Sequence, residues 1–274
     1  MKVINFLNVE VYNDSLELFF RRGLQDHVKK HKEFRLVENR TDGDINIDVK
    51  CRFYDYIQSM TGKKVLYFPD NLDRAGEVFN TFEHLYDYVF FAHTNDLIDN
   101  SRYFHLPVAY DPYTHYRLSK DDTIYPLTKK DTIDVAFVGT KHEGREFLTE
   151  VPGINIYGNE WGNTIWPIYS SLKRKVYSKT KIMINHHVAG DTSPNMRTFE
   201  CLAMGTFLLS DLVPKELEGG MVKYNSFDDL LTKIDYFLDH EEEREAIAER
   251  GYELVQIYTY EYRMAKLLEV LSDD

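Results

Sequence analysis

Short apolar runs take turns along this chain with longer segments whose apolar residues recur three and four apart. "VINFLNV", "INIDV", "KVLYF" and "YVFFAH" have strand length, and the segments between them have helical length. "DSLELFFRRGLQDHVKKH" has helical periodicity, with Asp14 or Ser15 as its cap. Strands alternating with helices predict a parallel sheet covered on both faces. The pattern breaks over residues 106–131, which are rich in Pro, Asp, Lys and Thr and read as an inter-domain connection. It restarts with "DVAFVG", "INIYG", "KIMINHH", "TFLLSD" and "MVKYN". Three helical segments follow, the first capped by Ser226 with Asp228 and Asp229 in its opening turn. The predicted fold is α/β: two Rossmann-like, doubly wound parallel-sheet domains facing a cleft. Their spans are residues 1–118 and 133–258, with a linker at 119–132 and a closing helix in 259–274.

Composition narrows the class. The chain has 274 residues, 43% hydrophobic and 28% charged, as a globular protein of this size has. No window approaches 18 apolar residues, and the N-terminal apolar run is short and followed by acids, so neither a membrane span nor a signal peptide is expected. Cys51 and Cys201 lack CxxC spacing and read as free thiols, consistent with a cytoplasmic protein. The net charge of −12 is uneven: residues 1–130 hold 18 basic and 20 acidic side chains, residues 131–274 hold 15 and 25. A strongly acidic second half disfavours nucleic acid there, whereas the first half is nearly neutral. Two local basic stretches, "RRGLQDHVKKHKEFR" and "SLKRKVYSKTK", are candidate phosphate contacts.

Candidate chemistry gathers where strands end, because open α/β sheets bind ligands outside the carboxyl ends of their strands. "DVAFVGTKHEGREF" ends a strand at Gly139, turns at Thr140 and opens a helix near Glu143. Gly139 would let backbone N–H groups approach a phosphate, Arg145 would clamp it and Lys141 assist. Gly158 ends "INIYG", either under a planar base or as a plain turn. His186 ends another strand and could touch a ligand. "SPNMRTFECLAMGTFLLSD" reads as a buried helix capped by Ser193 and Pro194, with Asn195 at its mouth. Glu200 could take two hydrogen bonds from a ribose diol, and Arg197 could neutralise a diphosphate; the alternative is an i,i+3 ion pair on a surface helix. Asp70 ends "VLYFPD", as a general base or as a cap, with Asn71 and Asp73 competing for the cap. "DGD" at Asp42–Asp44 is first a turn signal, and His186–His187 lack the spacing of a zinc pair.

The order "DVAFVGTKHEGREFL", "INIYG", "KIMIN", "SPNMRTFECLAMGTFLLSD", "TYEYRMAKLLEVL" is similar to the spore-maturation (CgeB-like) glycosyltransferases, of the GT-B type. "LYFPD", "VGTKHEGRE" and "RTFE" resemble the phage DNA β-glucosyltransferases. That resemblance implies Asp70 as catalytic base, Arg145 and Arg197 at a diphosphate, Glu200 at a ribose, and a closing helix that crosses back to the first domain. It implies a UDP-type nucleotide-sugar donor and makes a hydroxymethylated pyrimidine of DNA a candidate acceptor. A surface glycan, spore-coat component or small metabolite is the alternative acceptor. A non-catalytic sugar-nucleotide-binding protein is the alternative function. Many retaining GT-B enzymes carry a Glu eight residues before the ribose Glu; Thr192 stands there, which weakens a retaining assignment, and an inverting reaction is expected. Fixed cations and helix dipoles would neutralise the leaving group, so no metal is required.

Overall fold

The computed structural model describes residues 1–7, 15–98, 101–118, 132–162 and 165–272. Asp14 and nearly all of the predicted linker, residues 119–131, lie outside them. The chain forms two compact units. One comprises residues 1–109, 190–193 and 259–274, the other residues 110–189 and 194–258.

The first unit is a six-stranded, wholly parallel sheet. Its strands are β1 Lys2–Phe6, β2 Phe34–Glu38, β3 Ile45–Val49, β4 Lys63–Phe68, β5 Tyr88–Phe91 and β6 Tyr103–His105, in the order β2-β1-β3-β4-β5-β6. Helices α1 Leu16–Lys30, α2 Tyr54–Ile57 and α3 Leu72–Phe82 connect them. Ser15 caps α1 by accepting from the Leu18 N–H. The strand pattern misses β2 and β6 for one reason: both are edge strands. β2, "FRLVE", has no fully buried residue, and β6 is three residues long. Central β3, "INIDV", is buried at all five positions, with Asn46 and Asp48 buried between its apolar residues. The core gathers Leu66, Phe68, Phe79, Val89 and Phe91.

The closing helix, Tyr260–Ser272, lies in this unit against α1. It crosses at Gly23, where a Cβ would come within 2.6 Å of the Tyr260 backbone. Tyr260 fills the crossing beside Phe19 and Phe20, with ring centroids at 5.8 and 5.3 Å.

The second unit is a five-stranded parallel sheet of β7 Ile133–Val138, β8 Ile154–Tyr157, β9 Thr180–Asn185, β10 Leu208–Ser210 and β11 Val222–Lys223, in the order β11-β10-β9-β7-β8. Its helices are α4 Ser170–Lys179, α5 Met196–Ala203, α6 Phe227–Asp239 and α7 Glu241–Val255. Ser226 caps α6 through the Asp229 N–H. From β7 the chain winds to β8 on one side; from β9 it winds to β10 and β11 on the other. The switch point therefore lies between β7 and β9.

Two local expectations change. No α-helix opens near Glu143; the chain makes a turn there and then a single 3-10 stretch, Glu146–Glu150, since Arg145 is drawn inward. The cap of α5 is Asn195, not Ser193 with Pro194. The Asn195 side chain is fixed by a reciprocal pair of hydrogen bonds with Asn185, while the Ser193 hydroxyl is taken by His105 Nε2 at 3.0 Å.

Candidate active site

The ends of β7 and β8 approach so closely that no side chain fits between them. A Cβ on Gly158 would sit 1.9 Å from the Gly139 carbonyl oxygen, and one on Gly139 would meet Arg197 Nη2 at 2.0 Å. Trp161 Nε1 donates to that same Gly139 carbonyl at 2.7 Å. Gly158 is thus required by backbone contact, and Gly139 by the Arg197 guanidinium that lies against it.

Arg197 crosses the switch point. Its Nε donates to the Val138 carbonyl at the end of β7 and its Nη1 to Asn185 Oδ1 at the end of β9, the latter at 2.5 Å. Its guanidinium lies over the Phe137 ring at 4.5 Å. Burial pulls the Arg197 pKa down, against the pull of Tyr177, Glu200 and Asp211. Arg145 is buried beside it. Its Nε and Nη2 donate to the His186 carbonyl at 2.9 and 2.6 Å, and its Nη1 to the Thr140 carbonyl at 3.0 Å. It lies 5.5 Å from the same Phe137 ring. Two guanidiniums share one aromatic support and are held by backbone carbonyls, so positive charge is fixed at the carboxyl ends of β7 and β9. Lys141 donates its backbone N–H to the Asn159 carbonyl at 3.0 Å, tying the β7 turn to that of β8.

Glu200 is not on a surface helix and does not pair with Arg197. It is 4% exposed and meets Lys173 Nζ at 3.2 Å and His115 Nε2 at 3.2 Å. The Asp111 N–H donates to His115 Nδ1 at 3.1 Å, which leaves the ring proton on Nε2, facing the carboxylate. Burial pushes the Glu200 pKa up, but Lys173, His115 and Arg197 outweigh it and hold the carboxyl below its usual value. Lys173 belongs to the stretch "SLKRKVYSKTK", which the sequence offers for phosphate contact. It turns inward to Glu200, Arg174 donates to the Thr114 carbonyl at 2.9 Å, and Lys181 pairs with Asp134 at 2.5 Å.

At the mouth of α5, the Asn195 N–H donates to His187 Nε2 at 3.3 Å, so His187 carries its proton on Nδ1, 2.6 Å from Asp211 Oδ1. His186 Nδ1 stands 2.8 Å from the Tyr224 hydroxyl and 3.3 Å from Asp211 Oδ2. The adjacent histidines thus share one carboxylate. Among the described residues, no group of three or more His, Cys, Asp or Glu is placed to hold a metal.

In the first unit, Asp70 follows the end of β4 and is exposed. It does not cap α3: Asn71 does, accepting from the Asp73 N–H at 2.7 Å. Among the described residues, no hydrogen bond or ion pair engages the Asp70 carboxylate. Asp42 pairs with Arg40 at 2.8 Å and Asp44 accepts from the Val3 N–H at 2.6 Å, so the "DGD" acids are structural. Cys51 and Cys201 are unpaired and buried, and burial pushes the Cys51 thiol up to about 11.

The strand-end pattern brings Gly139, Thr140, Arg145, Gly158, His186, Asn195 and Arg197 together, with Glu200 one turn deeper. It does not find Lys173, His115, His187 or Asp211. Asp211 was within reach: "TFLLSD" ends a strand in Asp as "LYFPD" does.

Residues 141–269 match the model of the glycosyl transferase-like family. No curated protein matches the chain in sequence. Among solved structures, the chain is similar to an alpha-glucosyltransferase in complex with UDP and a 13-mer DNA containing a HMU base, with a TM-score of 0.70 at 10% identity over 99% of each chain. It is also similar to Anabaena HepE in complex with UDP and glucose, with a TM-score of 0.65 at 10% identity over 100% of each chain. A third is the DNA-modifying enzyme beta-glucosyltransferase, with a TM-score of 0.62 at 12% identity over 98% of this chain and 99% of that one. The two parallel α/β sheets are those of the GT-B fold.

Proposed function

We propose that this GT-B glycosyltransferase moves a sugar from a UDP-type donor to an acceptor hydroxyl with inversion. The observation that carries the reading is Arg197. Its Nη2 stands directly over Gly139 at the switch point, beside Arg145 and the mouth of α5. A diphosphate there would meet two cations and free helix N–H groups. Structural neighbours holding UDP support the donor class.

In the reaction, Asp70 takes the acceptor O–H proton, and the acceptor oxygen forms a bond to the anomeric carbon as the bond to the diphosphate oxygen breaks. UDP leaves with the electron pair, and Arg145, Arg197 and the α5 N–H groups balance its charge. The exposed, unengaged Asp70 carboxylate supports the base assignment. Thr192 supports inversion: it presents no carboxylate, and its hydroxyl is spent on the Thr94 carbonyl at 2.9 Å. The fold itself hosts both an alpha- and a beta-glucosyltransferase, so stereochemistry rests on these residues.

For the acceptor we favour a hydroxymethylated pyrimidine of DNA, since two of the neighbours act on or hold DNA. One observation favours the second reading, a glycan, spore-coat component or small metabolite: many basic side chains are already paired. In the first unit Arg21 pairs with Glu38, Lys29 with Asp26 and Lys30 with Glu261. A DNA face needs cations for phosphates. Incubation with nucleotide sugars and hydroxymethylated or unmodified DNA, read by nucleoside mass spectrometry and UDP release, tests both. A hexose or pentose on the modified base establishes the DNA acceptor. UDP release without a DNA adduct moves the acceptor to the second class, and no UDP binding overturns the donor reading.

A further inference from the structure

Three large apolar side chains of the second unit stand exposed between residues 166 and 172. Trp166 is 71% exposed, Tyr169 51% and Leu172 50%. Single exposed apolar residues are ordinary, whereas several on one short segment mark a contact surface. The segment is anchored. The Trp166 carbonyl accepts from the Gly158 N–H at 3.1 Å, at the end of β8, and Ile168 is buried between the exposed residues. Tyr169 stands at the N-cap of α4 and makes no side-chain cap hydrogen bond. Ser, Thr, Asp or Asn would stabilise the helix there, so the chain carries an exposed ring in place of a cap.

Helix α4 continues this surface. Its Lys173, Val176 and Tyr177 are buried. Leu172, Lys175 and Lys179 recur at i, i+3 and i+7 and form one stripe outside that face. The helix holds Lys173, Arg174, Lys175 and Lys179 and no acid, in a half of the chain that is otherwise acidic. Lys173 is spent on Glu200, and Arg174 on the Thr114 carbonyl and the Tyr116 ring. Lys175 and Lys179 lie on the outer stripe with Leu172.

This mixture selects its partner. Indole and phenol rings, each apolar with one polar atom, settle at the level of lipid headgroups. A leucine beside them suits the acyl boundary, and lysines at the margin reach anionic headgroups along their own stems. Nucleic acid would use the rings and the lysines and leave Leu172 in water. Among the described residues no helix is long and apolar enough to cross a membrane, so the contact is with one leaflet.

We propose that residues 166–179 seat the second unit on an anionic lipid surface. Trp166, Tyr169 and Leu172 enter the headgroup region, and Lys175 and Lys179 meet its phosphates. The chain carries a net charge of −12, so two lysines alone do not hold it there, and the apolar and cationic parts are both needed. The inference is independent of the donor and acceptor readings above.

The test is sedimentation of the full chain with vesicles of phosphatidylcholine alone, and of phosphatidylcholine and phosphatidylglycerol in equal parts, read beside tryptophan emission. The mixed vesicles should bind the chain and shift its emission to the blue; phosphatidylcholine alone should bind it more weakly. Trp166→Ser with Leu172→Ser should lower binding at least about tenfold. Lys175→Gln with Lys179→Gln should lower it about tenfold. Both proteins should keep the wild-type melting temperature, because none of these side chains is in the core. Absence of binding to the mixed vesicles overturns the proposal, as does full binding by the Trp166→Ser, Leu172→Ser protein. Emission quenched by oligothymidylate, or self-association that Trp166→Ser abolishes, without vesicle binding, assigns the segment to nucleic acid or to a second copy and overturns the lipid reading.

Discussion

Two strand-end carboxylates in this molecule have opposite surroundings. Asp70 follows β4 in the first unit, exposed and without a hydrogen bond or ion pair among the described residues. Asp211 follows β10 in the second unit, held by two histidines and a backbone N–H. Glu200 extends the contrast, buried against a lysine and a histidine. A carboxylate that must accept a proton from an incoming molecule has to be left open. Carboxylates that aim other groups are tied down, and their removal is felt in the fold. On the proposed reaction, the difference separates the carboxylate assigned as base from carboxylates that hold other side chains in place.

The sharpest way to break this comparison is Asp70→Asn. Loss of a general base lowers turnover by about 10²–10⁴-fold. An exposed side chain outside any network changes stability by no more than about 0.5 kcal/mol. UDP-sugar turnover measured beside thermal unfolding should therefore show inactive enzyme with an unchanged melting temperature. Unchanged turnover removes Asp70 from the role of base.

Glu200→Ala should do the reverse first. It strands the Lys173 ammonium in the interior and costs about 3–5 kcal/mol, read by denaturant unfolding. A double variant, Glu200→Ala with Lys173→Met, should recover part of that loss. No recovery would mean that the pair is not coupled.

Gly158→Ala comes next. Its Cβ would press on the Gly139 carbonyl, for about 1–3 kcal/mol of overpacking. It should also weaken UDP binding, because the Gly139 turn lies under Arg197. Normal UDP affinity in a destabilised Gly158→Ala protein would separate the two glycines from the donor site.

The smallest effect is on pH. The Glu200 pKa is lowered in the folded chain, so its contribution is complete above the ordinary value of 4.5 and is lost as pH falls through the folded value. Unfolding free energy should thus decline below about pH 4.5, and Glu200→Gln should flatten that slope. An unchanged slope would assign the acid sensitivity to Asp211, whose pKa is lowered too.

Much of the fold was legible because the central strands are buried on both faces and read as short runs rich in apolar residues. The edge strands β2 and β6 escaped because half of each faces away from the core. The grouping of candidate residues was legible where they lie on one short segment: Asn195, Arg197 and Glu200 fall within six residues of sequence. It was illegible where a partner comes from afar. Nothing in "DPYTHY" says that His115 will meet Glu200, and nothing in "SLKRK" says that Lys173 points inward rather than at a phosphate. Spacing gives helix faces and turns. It does not give the counter-charge that a buried carboxylate will find, which depends on how α4 and the segment around residue 115 close over α5.

The helix Tyr260–Ser272, seated on α1 at Gly23, also sets an order of events during synthesis. Its buried Tyr260, Met264, Leu267, Leu268 and Leu271 belong to the unit whose strands are made first. Domains made early generally fold early on the ribosome. Here α1 and its neighbours must wait, with an apolar face open, until residues near 270 have been translated. The second unit, contiguous but for four residues, has its whole sheet available sooner. The unit that holds residues 1–109 is therefore completed only after the second unit has been made.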